Sequence, residues 1–356
     1  MPSVQNKKMK IAAGAILVCA SLILALSLVR STAFRNTGSP VSRVAKESQI
    51  EPTPFPFQEM TIPYLRSREY ESSLGELRRV TQNTDYTSYI TDYDSDGLLI
   101  QAYITIPTGE KPRKGWPAVV FVHGYIPPQN YSTSDSYSSY VDYLARNKYV
   151  VFKIDLRGHG TSHGEPMGAY YSSDYIIDTL NARAALQRSD LIDPQRIGLY
   201  GHSMAGNVVT RAMAARPDIP AVAVWAGAVY TYADFSEFSI NDNSYRPPSD
   251  DSPGRRRRNE MLSMYGEFNA ESFFWKLVPM TNFLKDMQGA IQLSHCVDDT
   301  VVSVDYSRNL SALLDKASIV HESIEYPNGG HNFTGKTFNV AMDRTIAFFD
   351  TYLKSR

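Results

Sequence analysis

The fold is decided by the ten residues Ile197-Gly198-Leu199-Tyr200-Gly201-His202-Ser203-Met204-Ala205-Gly206. An apolar, strand-like run reaches Gly201, and a helix-forming run over residues 207–215 follows. Small residues surround Ser203, as a sharp turn from strand to helix requires, because its backbone passes too close for larger side chains. The pattern predicts that this turn lifts the Ser203 hydroxyl above a sheet, beside helix N–H groups that favour negative charge.

The sequence departs in one place from the usual G-x-S-x-G form of this turn. Ala205 stands where the last glycine is common, and Gly206 comes one residue later. A methyl group is small enough for such a turn, so Ser203 remains the predicted nucleophile. The motif alone is short, so its interpretation depends on whether the rest of the chain supplies an acid and a base.

Candidates for an acid and a base follow Ser203 in the order that a nucleophile of this kind requires. A short apolar strand opens into a loop with Asp298 and Asp299, and we expect Asp298 to be the acid. His331 follows a Gly-Gly turn, where a rigid scaffold can hold the loop while the imidazole moves a proton. The order and context predict a triad of Ser203, Asp298 and His331, with Asp299 as the alternative acid.

Two backbone N–H groups are predicted to stabilise an oxygen that becomes negatively charged beside Ser203. One belongs to Met204, directly after the serine. The other belongs to Tyr125, because an apolar strand ending at Val122 leads into His123-Gly124-Tyr125. A plain strand-to-loop turn is the alternative interpretation of His123-Gly124.

Two further motifs accompany the serine turn. Asp155-Leu156-Arg157-Gly158-His159-Gly160-Thr161-Ser162 is similar to a D-x-R-G-x-G-x-S loop, and Asp193-Pro194-Gln195-Arg196 leads into the strand before Ser203. With them, the chain from about Asp85 onward resembles the α/β-hydrolases of the prolyl oligopeptidase and dienelactone hydrolase group. The resemblance implies that Asp155 and Arg157 are scaffold residues that pin loops. His159 and His163 are expected to be loop residues, with a role as ligands as the alternative.

The fold class predicted is α/β, in the form of the α/β-hydrolase fold. Strand and helix patterns alternate along the chain, which indicates a mostly parallel sheet with helices on both faces. The predicted strands include residues 87–91, 98–106, 150–154, 197–200 and 221–225, and the predicted helices include 137–147 and 174–188. A helix is also expected within residues 62–80, at the edge of the domain.

An insertion over about residues 228–288 is expected to form a cap over the site. Its aromatic run Phe273-Phe274-Trp275 either lines a substrate pocket or holds the cap onto the domain, and the sequence leaves both open. Its four consecutive arginines, Arg255 to Arg258, are expected to form a solvated face, with contact to an anionic surface as the alternative.

Composition excludes several classes of function. The 356 residues carry a net charge of −1 with mixed signs throughout, which does not indicate a nucleic-acid surface. The two cysteines, Cys19 and Cys296, are far apart in the sequence and predict no disulfide framework. No metal-binding motif or cofactor fingerprint is present, so we expect neither a metal nor a cofactor.

The N-terminal region is predicted to form an anchor, followed by a spacer. Residues 1–10 carry three lysines and precede an uninterrupted apolar run over residues 11–29, about 28 Å long as a helix and sufficient to cross a bilayer core. Residues 30–58 are rich in proline and predict an extended linker before a catalytic domain at 59–356. The charge asymmetry predicts a single-pass protein with this domain outside the cytoplasm, and a cleaved signal with secretion is the alternative.

The sequence therefore predicts a membrane-anchored serine hydrolase that works through an acyl-enzyme intermediate. The family resemblance favours a peptidase acting on short peptides. A carboxylesterase acting on small or medium esters is the close alternative, because both use the same triad. A non-catalytic binding protein on this fold is the third interpretation, and an intact triad argues against it.

Overall fold

A computed structural model describes residues 54–247 and 249–355, which belong to one compact unit beginning at Pro54. The predicted tail (1–10), membrane span (11–29) and most of the predicted linker lie outside these residues. Within the described ranges, no helix has the length and apolar character needed to cross a membrane.

A nine-stranded sheet runs through the described part of the chain in the order β1-β2-β3-β5-β4-β6-β7-β8-β9. The first three strands and the β3–β5 pair are antiparallel, whereas all pairs from β5 to β9 across the sheet are parallel. The strands are β1 (Arg78–Gln82), β2 (Tyr86–Ser95), β3 (Leu98–Pro107), β4 (Trp116–Val122), β5 (Val150–Ile154), β6 (Ile192–His202), β7 (Ala221–Trp225), β8 (Ala290–Cys296) and β9 (His321–Tyr326).

The central parallel strands are buried on both faces, which explains their continuous apolar sequences. Every residue of β4, β5, β7 and β8 is buried. The β2–β3 hairpin instead depends on its turn. Asp96 and Gly97 both adopt positive φ angles, of 55° and 78°, as the tight turn favoured by an Asp-Gly pair requires.

Helices cover the sheet on both sides. The apolar faces of α1, α3, α4 and α8 pack on one side, and those of α2 and α9 pack on the other. The helices are α1 (Ile62–Ser67), α2 (Ser138–Arg146), α3 (Asp174–Gln187), α4 (Ala205–Ala215), α5 (Asp234–Glu237), α6 (Pro253–Tyr265), α7 (Phe273–Lys276), α8 (Asp305–Ala317) and α9 (Lys336–Phe349). Short 3-10 turns occur at Gln58–Met60, Pro128–Asn130 and Met280–Asp286, and a π-helical turn, Asp350–Lys354, follows α9.

The helix expected within residues 62–80 is wrong beyond its first turns. The helix α1 ends at Ser67, and the chain then extends along the sheet. Leu74 forms a bridge with Tyr93, and the Gly75 N–H donates to the Asp92 carbonyl at 2.8 Å. The part of β2 that extends beyond its pairing with β1 offers backbone partners to this segment, whose mixed polarity gives it no continuous apolar face for a longer helix.

The direction of the chain reverses around β4, and this reversal fixes where a site can form. The chain passes from β4 to β5 on one side and returns to β6 on the other side of β4. In an open parallel sheet, such a reversal leaves a crevice at the carboxyl ends of the strands. Gly124 and Ser203 follow these ends of β4 and β6, so the crevice lies between their loops.

Candidate active site

Ser203 occupies a strained turn between β6 and α4. Its φ angle is 56°, a left-handed value that costs a residue with a side chain on the order of 1–3 kcal/mol. Two hydrogen bonds hold the turn: the Ser203 N–H donates to the Trp225 carbonyl at 2.8 Å, and the Gly206 N–H donates to the Ser203 carbonyl at 2.9 Å. The turn leaves Ser203 at the wall of the crevice.

The small residues around Ser203 have steric reasons. A Cβ atom on Gly201 would lie 2.7 Å from the carbonyl oxygen of Ala205, closer than real contacts allow. The Ala205 methyl group is itself fully buried without displacing the turn. Ala205, in place of the usual glycine, is therefore compatible with the geometry of the turn at Ser203.

The base reaches Ser203 from the loop between β9 and α9. The Ser203 hydroxyl lies 2.9 Å from His331 Nε2 and donates to it when the imidazole is neutral. The other ring nitrogen, His331 Nδ1, lies 2.8 Å from Asp299 Oδ2. The structure thus brings together a hydroxyl, an imidazole and a carboxylate in the arrangement that activates a serine nucleophile.

The acid position is corrected from Asp298 to Asp299. Asp298 is exposed, and its carboxylate accepts hydrogen bonds from the N–H groups of Gly329 at 3.2 Å and Gly330 at 2.9 Å. It supports the turn before His331 instead of meeting the imidazole. The side chain of Asp299 is fully buried and faces His331, because adjacent loop residues direct their side chains differently.

Asp299 is held in its charged form by an extensive set of donors. Burial would raise the pKa of its carboxyl group, but hydrogen bonds from His295 and His331 and the backbone N–H of Val302 outweigh that effect and lower the pKa. Its second oxygen accepts from the N–H groups of Val301 at 2.8 Å and Val302 at 3.0 Å. The carboxylate is therefore ready to orient His331 and to stabilise its cation.

The predicted oxyanion donors lie beside this group. Gly124 approaches the elbow so closely that an added Cβ atom would lie 3.1 Å from the Ser203 Cβ atom. Tyr125 comes next in the chain and lines the same cleft. Met204 directly follows Ser203 and occupies the position immediately before α4. The backbone groups of Tyr125 and Met204 thus belong to the two segments that flank the hydroxyl.

A cleft of about 810 Å³ contains Ser203 and His331. Its volume suits a small ligand or a short peptide. Aromatic residues form much of the wall: Tyr125, Tyr137, Tyr140, Phe333 and Phe338. Two carboxylates, Asp135 and Asp242, also line it.

Comparisons with known proteins agree with this architecture. A family described as "Serine aminopeptidase, S33" matches residues 114–240, which include the loop after β4 and the turn at Ser203. The chain has the α/β-hydrolase fold. The match to a serine aminopeptidase family, together with the contact between Ser203 and His331, is that of a serine hydrolase.

Individual relatives of this hydrolase include both peptidases and esterases. Protein phosphatase methylesterase 1 of Debaryomyces hansenii is 27% identical over 190 residues, which are 50% of this chain and 45% of that protein. A puromycin-hydrolysing peptidase of Mycobacterium tuberculosis superposes with a TM-score of 0.58 at 19% identity, over 76% of this chain and 40% of the other. An acetyl xylan esterase of Paenibacillus sp. R4 gives 0.57 at 16% identity, over 82% and 92% respectively. The hydrolase thus spans less than half the length of the first two relatives.

The insertion between β7 and β8 contributes to the cleft of the hydrolase through its first part. Asp242 and Ser244 line the cleft, and the N–H of Arg246 donates to the Tyr125 hydroxyl at 3.1 Å. The aromatic run lies elsewhere. Trp275 is fully buried against Tyr232, at 5.5 Å between ring centroids, so it belongs to the core of the insertion and not to the substrate pocket.

The arginine run of the insertion is not a free solvated face. Arg255 pairs with Asp250 at 3.3 Å, and Arg257 pairs with Glu59. The guanidinium of Arg258 lies 4.6 Å from the centroid of the Tyr171 ring. These contacts attach α6 to neighbouring segments of the hydrolase.

Asp155 and Arg157 pin loops, as the resemblance implied. The Asp155 carboxylate accepts hydrogen bonds from the Tyr131 hydroxyl at 2.7 Å and from Thr133. Arg157 binds Asp178 at 2.6 Å and Asp174 at 2.8 Å. Neither residue lines the cleft.

Cys296 ends β8, close to the acid loop, but it is not a second nucleophile. Burial, together with the charges of Asp298 and Asp299, raises the pKa of the Cys296 thiol to about 12. At neutral pH the sulfur is therefore a thiol rather than a reactive thiolate.

The structure also adds residues that sequence reasoning missed. His295 Nε2 lies 3.2 Å from Asp299 Oδ2, so two imidazoles share one carboxylate. His202 and Tyr137 bind each other beside Ser203. The position of His202, immediately before the nucleophile, was the available signal for it, whereas Tyr137 has no local motif that marks it.

Proposed function

We propose that the protein hydrolyses short peptides through an acyl-enzyme formed on Ser203. The observation that carries this proposal is the position of the His331 ring, with Nε2 at 2.9 Å from the Ser203 hydroxyl and Nδ1 at 2.8 Å from Asp299. In this arrangement a neutral imidazole accepts the serine proton while the carboxylate stabilises the resulting cation.

The reaction proceeds in two halves. In the first, Ser203 Oγ attacks the substrate carbonyl, its proton passes to His331 Nε2, and the imidazolium returns that proton to the departing amine. In the second, His331 removes a proton from water, which attacks the acyl-enzyme, and the imidazolium then returns this proton to Ser203 Oγ as the acid leaves. Asp299 remains ionised throughout, in agreement with its lowered pKa.

Backbone donors stabilise the oxyanion of each tetrahedral intermediate. The N–H groups of Met204 and Tyr125 are assigned this role because their segments flank Ser203. One donor of this kind is worth about 10²–10³ in kcat in serine enzymes. The N-terminus of α4 adds a favourable dipole at the same point.

The charges of the cleft favour a substrate with an amino group. Among the described residues that line it, Asp135 and Asp242 are acidic, and none is a lysine or an arginine. A carboxylate near a bound amine gains Coulomb energy, more strongly where water is partly excluded. Together with the match to a serine aminopeptidase family, this favours short peptides with a free N-terminus.

A carboxylesterase is the second candidate. The acetyl xylan esterase of Paenibacillus is covered over 92% of its length, whereas the puromycin-hydrolysing peptidase is covered over only 40%. The likeness to a whole esterase domain therefore favours ester substrates. The chemistry is shared, since only the leaving group differs between an amine and an alcohol.

The test begins with the nucleophile. A fluorophosphonate probe should label the wild-type protein, and Ser203→Ala should abolish labelling and lower turnover by more than about 10³-fold. A folded Ser203→Ala protein that still labels would refute the assignment. Peptidase and esterase are then separated with alanine p-nitroanilide and p-nitrophenyl acetate.

An acidic residue of the cleft can be tested by comparing its effect on a substrate with an amino group and on a substrate without one. If the acidic lining binds an amine, Asp242→Asn should raise KM for alanine p-nitroanilide and leave KM for p-nitrophenyl acetate nearly unchanged. An equal effect on both substrates would contradict recognition of an amino group. Efficient turnover of the acetate alone would favour the esterase.

The membrane anchor belongs to the same proposal. It rests on the apolar run at residues 11–29 and on the charge asymmetry around it, with the hydrolase domain outside the cytoplasm. The full chain should resist carbonate extraction from membranes. Recovery of the native enzyme from the medium with an N-terminus near residue 28 would support a cleaved signal instead.

A further inference from the structure

A chain of hydrogen bonds joins the two loops on either side of Ser203. The Gly124 N–H donates to the Tyr137 hydroxyl at 3.1 Å. That hydroxyl lies 2.7 Å from His202 Nδ1, and His202 Nε2 lies 2.8 Å from the carbonyl oxygen of His331. The chain therefore runs from the oxyanion loop, through the residue before the nucleophile, to the backbone of the base.

The direction of each proton in this chain is fixed by its ends. The His331 carbonyl can only accept, so His202 Nε2 carries a hydrogen and donates it. In the neutral ring, Nδ1 then accepts from the Tyr137 hydroxyl, which is free to accept from Gly124. A single arrangement of protons satisfies every group.

His202 stays neutral over the range in which such an enzyme works. Burial, together with the neighbouring His331, lowers the pKa of its imidazole to about 3. The tautomer that the chain needs is therefore present at neutral pH. His202 does not compete with His331 for a proton during turnover.

The structure strains its backbone to make these contacts. Tyr137 adopts a φ angle of 60° at the start of α2, a left-handed value that is costly for a tyrosine. A second bond supports the base loop, since the Tyr140 hydroxyl donates to the Asn332 carbonyl at 3.0 Å. The carbonyl groups of His331 and Asn332 are thus held in succession.

We propose that Tyr137 and His202 are positioning residues that set the distance between the oxyanion donor of Tyr125 and the imidazole of His331. This inference rests on the proposed function, because it assigns roles around an acyl-enzyme at Ser203. Neither residue exchanges a proton with the substrate. Their effect falls on the transition state, which needs the base and the oxyanion donor placed correctly at the same time.

The central experiment compares two tyrosines in one aromatic cluster. Tyr137→Phe removes the hydroxyl that links Gly124 to His202. Tyr200→Phe is the matched control, because Tyr200 is fully buried nearby and its hydroxyl has no hydrogen-bond partner among the described residues. Tyr137→Phe should lower kcat by about 10- to 100-fold with KM nearly unchanged, whereas Tyr200→Phe should match the wild type.

Rescue by a conservative side chain separates the link from simple packing. His202→Gln keeps an acceptor and an N–H donor, so it should retain more activity than His202→Leu, which has neither. Turnover is expressed per site that a fluorophosphonate labels, so that misfolded protein does not count. The downfield NMR signal of the His331–Asp299 proton should broaden or shift in Tyr137→Phe and remain in Tyr200→Phe.

The outcomes distinguish this inference from the proposed function. Turnover that survives in Ser203→Ala overturns the proposed function. Turnover that is lost in Ser203→Ala but equal in Tyr137→Phe and Tyr200→Phe overturns only the positioning link. Equal activity per labelled site in His202→Gln and His202→Leu also overturns it.

Discussion

Charged side chains hold both of the loops that flank Ser203, but burial affects those charges differently on the two sides. On the base side, Asp298 and Asp299 act as charged acceptors for the loop and ring of His331. On the oxyanion side, the loop over residues 125–136 is anchored by Asp155 and Lys153, both fully buried. On the base side, hydrogen bonds stabilise the charge of Asp299. On the oxyanion side, burial disfavours the charged forms of Asp155 and Lys153.

Their pKa values express the difference. The hydrogen bonds around Asp299 overcome its burial and lower its pKa. Burial raises the pKa of Asp155 to about 6 and lowers that of Lys153 to about 8, although each stabilises the charge of the other. Lys153 also donates to the Ser136 carbonyl at 2.6 Å. We therefore expect pH to act on the base side through chemistry and on the oxyanion side through stability.

The largest expected effect tests the base side. Asp299→Asn should leave the fold intact but orient the imidazole poorly, lowering kcat by about 10⁴-fold as in other serine triads. Asp298→Asn is the neighbouring control, and it should cost less than about 10-fold because only bonds to exposed backbone N–H groups weaken. The measurement is kcat on p-nitrophenyl acetate for both variants.

A larger loss of kcat in Asp298→Asn than in Asp299→Asn would contradict the roles given to the two carboxylates. A larger loss at Asp298 would mean that the loop after β8 rearranges when substrate binds. A loss below about 10-fold at both positions would mean that His331 needs no carboxylate in this enzyme.

The different success of sequence reasoning at Ser203 and at the acid has a physical cause. The turn at Ser203 can be recognised within ten residues of sequence, because larger side chains in place of Gly201 and the small residues after Ser203 would clash with the backbone. The choice between Asp298 and Asp299 depends on side-chain direction in a loop, and both residues have the same chemistry. Only the position of His331, brought from 32 residues away, separates them.

The same contrast holds for the fold. Buried strands such as β5 and β7 were predicted to the residue, because a continuous apolar run marks a strand with both faces covered. The prediction for residues 62–80 was wrong because this segment pairs with β2, which comes later in the chain. The link through Tyr137 could not be predicted either, since it joins groups from three separate segments.

An intermediate effect tests the oxyanion side through pH. Asp155 binds a proton more tightly when folded, with a pKa of about 6, than in the unfolded chain, where about 3.9 is usual. Its contribution to stability is therefore greatest at low pH and falls as the pH rises from about 4 through 6. Between pH 5 and 7, the wild type should lose on the order of 1 kcal/mol more unfolding free energy than Asp155→Asn.

Urea unfolding of both proteins at pH 5 and pH 7 provides this measurement. Groups that do not interact with Asp155 are common to the two proteins and cancel in the difference, whereas Lys153 loses the carboxylate that raises its own pKa. Lys153, Tyr131 and Thr133 face Asp155 and remain unchanged. If the unfolding free energies of the two proteins change equally between pH 5 and pH 7, the raised pKa of Asp155 and the difference between the two sides of the cleft are both contradicted.

The smallest expected effect sharpens the role of Tyr125. Its backbone N–H is assigned to the oxyanion, whereas its hydroxyl is already an acceptor for the N–H of Arg246 at 3.1 Å. Tyr125→Phe should therefore change kcat on p-nitrophenyl acetate by less than about threefold, the scale of one partly exposed hydrogen bond. A hydroxyl that donated directly to the oxyanion would instead cost about 10²–10³-fold when removed. Steady-state kinetics distinguishes these values easily, and the larger loss would move the oxyanion donor from the backbone of this loop to its side chain.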